Sequence, residues 1–341
     1  MEAAQAKTNA YVERIDAARQ SESIAETHLS KDEVGYQSRY VGKANTYVCD
    51  GAIVLVTTDR QSAFDRKLAT VPFKGAVLNQ TSAWWFERTK HIIPNHVLGV
   101  PHPNVCVAKK CTVFPIEFVM RGYLTGSTST SIWKNYERGT RCYCGHNLPD
   151  GMTKNQALPM GNILTPTTKD DVHDELISAE EVVSSGKMTQ EDWDRCSAAA
   201  HQLFAFGQQA AAERGLILVD TKYELGKDEQ GRVVLIDEIH TPDSSRYWVK
   251  ETYEARMAAG SEPENIDKEF LRKWFAANCD PYKDEKLPEA PKELVNELSR
   301  RYIMLYELIT GQVCKSTNLS TVVIYLIGRS VYTRISIVDV R

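Results

Sequence analysis

Leu216-Ile-Leu-Val-Asp-Thr-Lys-Tyr-Glu-Leu225, continued by Gly226-Lys-Asp-Glu-Gln-Gly-Arg232 and Val233-Val-Leu-Ile-Asp-Glu-Ile-His-Thr-Pro-Asp-Ser-Ser-Arg246, reads as two apolar strands that both end in charge. The first strand is apolar to Val219 and then sets Asp220, Lys222 and Glu224 at a period of two, so the three side chains leave one face. With a turn over residues 229–232, where Gly231 takes positive φ, Glu224 and Asp237 lie five residues to either side and form a directly opposed cross-strand pair. Like charges that start about 5 Å apart at Cβ are unfavourable unless a cation lies between them. Oxygen-only ligands suit Mg2+ or Mn2+, and Lys222 beside them offers a positive charge to phosphate. A solvated hairpin face fits the same residues, because a one-residue slip of register sends one strand's set to the other side.

With 341 residues, 42% hydrophobic and 25% charged, the chain is long enough for a substantial core in two lobes or one large domain. A net charge of -4 and a pI near 6.1 argue against a nucleic-acid binder held by bulk electrostatics, so any phosphate recognition has to be local. The eight cysteines are scattered and no secretory segment precedes them, which predicts reduced thiols in a cytoplasmic setting. Cys142-Tyr-Cys144-Gly-His146 has metal-like spacing, but no second cluster completes a zinc site. Residues 1–30 carry Glu2, Glu13, Asp16, Glu22 and Glu26 among alanines, too acidic for a usual organellar transit peptide. A short solvent-facing helix or a disordered arm is expected there. Val322-Val-Ile-Tyr-Leu-Ile-Gly328 is apolar but far short of the roughly 20 residues a spanning helix needs, so no membrane span is expected.

Residues 36–58 read as a strand over 36–41, a break at Gly42-Lys43, a strand over 46–49, an Asp50-Gly51 turn and a strand over 52–58. The β-branched content and the Asp-Gly pair make these antiparallel. A packed helix is expected over 76–91 around Leu78, Trp84, Trp85 and Phe86, with strands over 105–113 and 115–121 and a polar loop region from roughly 125 to 187. The clearest helix then starts at Thr189 and Asp192 in a capping-box-like pair, lines one face with Trp193, Ala200, Leu203 and Phe204, and ends at Gly215. Further helices are expected over 267–277 and 292–310. Strands first and mixed elements later predict an α+β fold rather than a doubly wound parallel sheet.

Polar constellations punctuate this frame. Gly42-Lys43 is either a phosphate lid, glycine admitting the ligand to the backbone and lysine meeting its charge, or an ordinary hairpin turn. Thr58-Asp-Arg-Gln-Ser-Ala-Phe-Asp65 reads as a ligand-holding loop or as a helix cap. Val119-Met-Arg121-Gly-Tyr-Leu-Thr-Gly126-Ser127 puts an arginine at a strand end before glycines and hydroxyls, a phosphate grip or a plain edge arginine before a flexible loop. Thr165-Pro-Thr-Thr-Lys169 and His173-Asp-Glu175 form a polar run that a solvated loop explains almost as well. Thr241-Pro-Asp-Ser-Ser-Arg246 is sharper, since it hangs directly after the carboxylate hairpin. No Gly-x-x-x-x-Gly-Lys-Ser/Thr loop and no Gly-x-Gly-x-x-Gly fingerprint occurs, which disfavours P-loop NTPases, Rossmann enzymes and typical protein kinases.

Taken together and in this order, Gly42-Lys43-Ala-Asn-Thr-Tyr47, Asp59-Arg-Gln-Ser-Ala-Phe-Asp65, Arg121-Gly-Tyr-Leu-Thr-Gly-Ser127, Thr165 to Lys169, His173-Asp-Glu175, Asp220-Thr-Lys-Tyr-Glu224, Asp237-Glu238 and Thr241 to Arg246 resemble the SAICAR synthetase family of purine biosynthesis. The likeness spans roughly residues 35–311. It implies a two-lobe fold: a small antiparallel β lobe covering a nucleotide, packed on a larger ATP-grasp-like lobe with C-terminal helices. It implies an ATP-dependent ligase that joins carboxyaminoimidazole ribonucleotide (CAIR) to L-aspartate, giving SAICAR, ADP and phosphate. On this resemblance Glu224 and Asp237 bind Mg2+ and, with Gly42, Lys43 and Lys222, hold ATP. Arg121, Gly122, Ser127, Asp220, Ser244, Ser245, Arg246 and Arg272 hold the ribonucleotide, while Lys169, His173 and Asp174 position aspartate or assist proton removal. A carboxylate is a poor acyl donor until phosphorylated, so such a site needs cations at the γ-phosphate and then a pocket that presents an amine while excluding water.

The same reading divides the chain into an N-terminal extension (1–30), a nucleotide-covering lobe (31–114), a catalytic lobe (115–311) and an atypical tail (312–341). Asn45-Thr46 stand where many members carry a basic or acidic residue, and the β-branched tail runs past the family's usual end as an added strand or an oligomer contact. Nothing resembles a fused carboxylase domain, so a monofunctional chain is expected. Two other readings compete: a phosphotransferase of kinase-like fold, and a non-catalytic nucleotide-binding regulator, against which the paired carboxylates speak.

Overall fold

In the computed structural model, which describes residues 2–21, 23–27, 31, 36–42, 44–64, 66–169, 175–266, 269–315, 324–327 and 330–333, the chain opens with helix α1 (Glu2–Ser21) and the strands β1 (Ser38–Val41), β2 (Ala44–Val48) and β3 (Ala52–Thr57). Tyr47, Val54 and Val56 fall on the buried side of the alternation. A hairpin of β4 (Arg60–Ala63) and β5 (Arg66–Thr70) leads into helix α2 (Lys74–Arg88). Strands β6 (Val97–His102) and β7 (Val105–Lys109) then complete an antiparallel sheet in the order β1-β2-β3-β7-β6. The strands expected over 36–58 are all present within about two residues, as boundary precision from sequence allows.

A second sheet starts at β8 (Thr112–Arg121). The stretch that reads as a polar loop holds short elements: α3 (Ile132–Glu137), β9 (Cys142–Tyr143), β10 (His146–Asn147), β11 (Ile163–Leu164), β12 (Thr167–Thr168) and α4 (Ala179–Ser184). Leu124, Ile132, Tyr136, Tyr143, Leu148 and Ile163 bury one another there, at spacings too irregular for any periodicity to reveal. Helix α5 (Gln190–Glu213) starts where Thr189 Oγ1 accepts the Asp192 amide, and Gly215 beyond its end takes φ 73°.

Strand β13 (Leu216–Lys227) follows, then β14 (Val233–Ile236) and β15 (Ser245–Val249), helices α6 (Lys250–Ala258), α7 (Glu269–Asn278) and α8 (Lys292–Thr310), and a hairpin of β16 (Ile324–Ile327) with β17 (Ser330–Thr333). β13 is the spine of the second sheet, antiparallel to β8, β14 and β15. Trp193, Leu203 and Phe204 of α5 share one apolar core with Phe118, Met120, Leu218 and Tyr223 of that sheet. The α+β reading with antiparallel sheets and C-terminal helices holds.

One expectation is overturned. The N-terminal segment is a helix, one of the two forms expected, but it is not solvent-facing: Tyr11, Ile15 and Ala18 of α1 are buried in a second core with Leu298, Tyr302 and Tyr306 of α8. Those three apolar residues recur at helical spacing, while Glu13 faces solvent. Acidic composition hid the stripe. Among the described residues no helix is long and apolar enough to cross a membrane.

Candidate active site

The decisive hairpin forms, but not in the register that a turn over 229–232 gives. Glu224 lies opposite Ile236, and Lys227 opposite Val233. The cause is Asp228: its carboxylate accepts the Gln230 and Arg232 amides, each at 3.0 Å, and the Arg232 guanidinium at 2.7 and 2.9 Å. These bonds draw Asp228 out of the strand into the turn, as aspartates do, and shift the pairing by one residue. Glu224 and Asp237 are therefore not an opposed pair. Asp237 lies one residue past β14 with φ 63°, so its side chain leaves the ladder's alternation altogether.

What β13 does present is a continuous charged face. Asp220, Lys222 and Glu224 alternate along it, opposite Arg121, Val119 and Glu117 of β8. Lys222 Nζ lies 2.5 Å from Glu117 Oε1 and 2.9 Å from Glu224 Oε1, and Lys169 takes the other Glu224 oxygen. Burial works to lower the Lys222 ammonium, but the carboxylates of Glu224, Glu117 and Asp237 outweigh it and hold the group well above its ordinary range. Burial likewise pushes Glu224 up, and Lys222 and Lys169 overcome it, holding the carboxyl at about 2. Lys222 is a fixed cation and Glu224 a fixed anion at any physiological pH.

At the other end, Asp220 sits between guanidiniums: Arg246 Nη1 at 2.5 Å and Arg121 Nη1 at 3.8 Å. Arg121 also donates to Thr165 Oγ1 at 2.8 Å. Ser127 Oγ donates to Glu269 Oε1 at 2.5 Å, and Glu269 pairs with Arg272 at 3.6 Å. Burial raises the Glu269 carboxyl, but Arg246, Ser127 and Arg272 together hold it below its usual range. Arg121, Ser127, Arg246 and Arg272 thus gather around the Asp220 and Glu269 carboxylates. Gly122 packs against Gln208 and Asn162, where a Cβ would stand 2.9 and 3.0 Å from their polar atoms. Ser245 bonds Thr221 Oγ1 at 2.8 Å, on the face opposite Arg246, and Ser244 bonds Thr241. Ser245 thus points away from Arg246 at the start of β15, and Ser244 is bonded into the turn before it.

Beyond Glu224 lies an apolar cleft. Leu55, Leu78, Phe86, Val97 and Cys106 line it between the first sheet and α2, with Asn79, Asp237 and Glu238 as polar wall. Two residues before the cleft-lining Ala44, the Gly42 carbonyl accepts from Arg60, which also donates to Asn45 Oδ1 at 2.7 Å. Asn45 is thereby an internal anchor, which accounts for an uncharged residue at that position. Lys43, His173 and Asp174 lie outside the described residues.

Sequence reasoning missed three groups. Glu117 and Glu269 are single acids whose role appears only when β8, β13 and α7 come together. Lys74 and Asp243, both buried, pair at 3.0 Å, with Tyr302 donating to Asp243 at 2.6 Å. Asp59 is the cap that its motif allowed, but for α2, through the Gly75 amide at 2.9 Å.

The donor set fits Mg2+ only with help. Among the described residues no three His, Cys, Asp or Glu side chains gather as a metal cage, and Cys144 and His146 turn instead to the carbonyls of Pro166 and Leu164. Glu224, whose two oxygens pair with Lys169 and Lys222, and Asp237 are the carboxylates that would supply oxygen donors, and Mg2+ is typically held by one or two carboxylates with phosphate and water completing its shell.

The family model described as SAICAR synthetase matches residues 38–289. The chain belongs to the SAICAR synthetase family. Among its SAICAR synthetase relatives, the phosphoribosylaminoimidazole-succinocarboxamide synthase of Legionella pneumophila (strain Lens) is 59% identical over 285 residues, 83% of this chain and 91% of the relative. The chloroplastic enzyme of that name from Arabidopsis thaliana is 59% identical over 292 residues, 85% of this chain and 71% of the relative. The SAICAR synthase from Saccharomyces cerevisiae, solved in complex with SAICAR, superposes with a TM-score of 0.72 at 30% identity, over 85% of this chain and 99% of that one. A SAICAR synthetase solved in complex with ADP shares the fold at a TM-score of 0.62 and 24% identity, over 82% of this chain and 100% of that one.

Proposed function

We propose that this SAICAR synthetase-family chain is an ATP-dependent ligase that joins the carboxylate of CAIR to the amine of L-aspartate, forming SAICAR, ADP and phosphate. The observation that carries the reading is the single charged face of β13. It runs from an arginine-rich end at Asp220, through Lys222 between two glutamates, towards an apolar cleft walled by Asp237 and Glu238. A ribonucleotide phosphate suits the first, a nucleotide base the last, and the transferred phosphoryl group the cation between them.

In this reading Arg121, Ser127, Arg246 and Arg272 hold CAIR, with Asp220 and Glu269 orienting the guanidiniums. ATP lies in the cleft, its phosphates facing Gly42, Lys43 and Lys222. Mg2+, when bound by Glu224 and Asp237, neutralises triphosphate charge. A CAIR carboxylate oxygen attacks the γ-phosphorus and the bond to ADP breaks, leaving an acyl phosphate. The aspartate amine then attacks the acyl carbon, and the C–O bond breaks with its electrons leaving on phosphate. Lys169 positions aspartate, and His173 or Asp174 takes the amine proton. Residues 31–114 form the nucleotide-covering lobe and 115–311 the catalytic lobe, with 1–30 and 312–341 as additions; a division near there is supported by the change of sheet between β7 and β8, which falls a few residues earlier, between Lys109 and Thr112. Eight free thiols support a reducing, cytoplasmic setting.

The test is mass spectrometry of the product formed from ATP, Mg2+, CAIR and aspartate. A ribonucleotide carrying the aspartate skeleton in amide linkage supports the reading. A phosphorylated ribonucleotide as the end product overturns it in favour of a phosphotransferase.

A further inference from the structure

His240 lies in the turn after β14 and takes no part in the chemistry above. It is fully buried, and its backbone is left-handed at φ 51°, three residues after Asp237 at φ 63°. Neither is glycine, and two such residues in one short turn persist only where the surroundings impose them.

The surroundings of His240 are specific. Nε2 lies 2.5 Å from the Tyr223 hydroxyl, the Trp85 ring meets the imidazole edge to face with centroids 4.6 Å apart, and the Tyr247 hydroxyl donates to the His240 carbonyl at 2.8 Å. Helix α5 passes so close that a Cβ on Gly207 would stand 2.4 Å from His240 Cε1 and 2.9 Å from Nδ1. Only glycine admits the ring there. Tyr223 lies between Lys222 and Glu224 on β13, with its side chain on the opposite face, so a ring tied to its hydroxyl is registered to the strand that carries the site. On the turn's other side Asp237 and Glu238 face the cleft beside Asn79 and Ser82, and the Ile239 amide donates to Ser82 Oγ at 3.4 Å.

We propose that His240 is a positioning residue: wedged against Trp85 and Gly207 and tied to Tyr223, it imposes the left-handed turn that holds Asp237 and Glu238 at the nucleotide cleft. The inference rests on reading that cleft as the nucleotide site. It makes Gly207, on a helix behind the sheet, a determinant of nucleotide affinity.

The experiment titrates Mg2+ with a non-hydrolysable ATP analogue, and separately CAIR, into the full chain by calorimetry, with thermal melts alongside. The variants are Tyr223→Phe, which removes only the hydroxyl, His240→Asn, whose side chain tolerates left-handed backbone, and Gly207→Ala. Nucleotide Kd is expected to rise about five-fold or more in each variant while CAIR Kd stays within about two-fold and the melts remain cooperative. The Gly207→Ala effect shrinks in the His240→Asn background, where the shorter side chain removes the contacts with the imidazole and leaves only that with Leu218 Cδ2, 2.8 Å from the added methyl group. A wild-type chain that binds no Mg2+-nucleotide overturns the reading of the cleft. A wild-type chain that binds, with Tyr223→Phe and His240→Asn binding equally well, losing both ligands together or losing cooperative folding, overturns the role of His240.

Discussion

The charged face of β13 rests on single residues whose charges are set by their neighbours. Glu224 is held ionised between two lysines, and Asp237 is aimed by its own backbone rather than by strand pairing. Glu224→Gln and Asp237→Asn preserve shape and remove charge. Each is expected to lower turnover by about 10²–10³-fold without loss of folding, measured as ADP release beside a thermal melt. Wild-type activity in both variants contradicts the metal assignment. The pH dependence of stability has a sign fixed by two buried histidines. Burial, with Lys109 adding, pushes His96 down to about 4, and burial alone pushes His240 down to about 3. Below their ordinary value of 6.5 the unfolded chain takes up protons that the fold refuses, so stability falls as pH drops from 6.5 towards 4. Each ring contributes about 1.4 kcal/mol per pH unit to that slope. Denaturant melts of His240→Asn between those limits are expected to show the slope reduced by one ring's share; an unchanged slope contradicts neutral burial. Glu224 acts in the same direction lower down, its contribution present above 4.5 and lost as pH falls towards 2.

Among the elements, those with strong local signals are legible. The Thr189 cap and the apolar stripe define α5, and alternation with an Asp-Gly turn defines β2 and β3. The period-two placement of Asp220, Lys222 and Glu224 correctly put three charges on one face. The register of the hairpin was not legible, because it depends on whether Asp228 bonds the turn or the ladder, a choice only tertiary structure makes. The helix α1 was hidden for a different reason: its acids dominate the composition, while the stripe of Tyr11, Ile15 and Ala18 finds a partner only on α8, far along the chain. Ile15 is fully buried in that contact. Ile15→Ala is expected to cost about 2–5 kcal/mol in a chemical melt, the range for a well-packed aliphatic deletion. A cost below about 0.5 kcal/mol, as for a surface change, contradicts the docking of α1.

For the molecule as a whole, the same strand serves two ends. β13 carries Asp220, flanked by Arg121 and Arg246, and two periods of its alternation further on Glu224, so one rigid element fixes the distance between the two ligands it is proposed to hold. The buried Lys74–Asp243 pair, with Tyr302, ties α2, the loop before β15 and α8 into one frame around that strand. This long-range assembly left no trace in any local stretch of sequence; the order of short motifs did, which is why the family and chemistry were legible before the geometry. The proposed ligase differs from a kinase on the same frame in one respect, the requirement for an amine. The most direct measurement is ADP formation with each substrate omitted in turn. Sustained ADP release is expected only when ATP, CAIR and aspartate are all present; full-rate release with aspartate left out contradicts amide formation as the reaction.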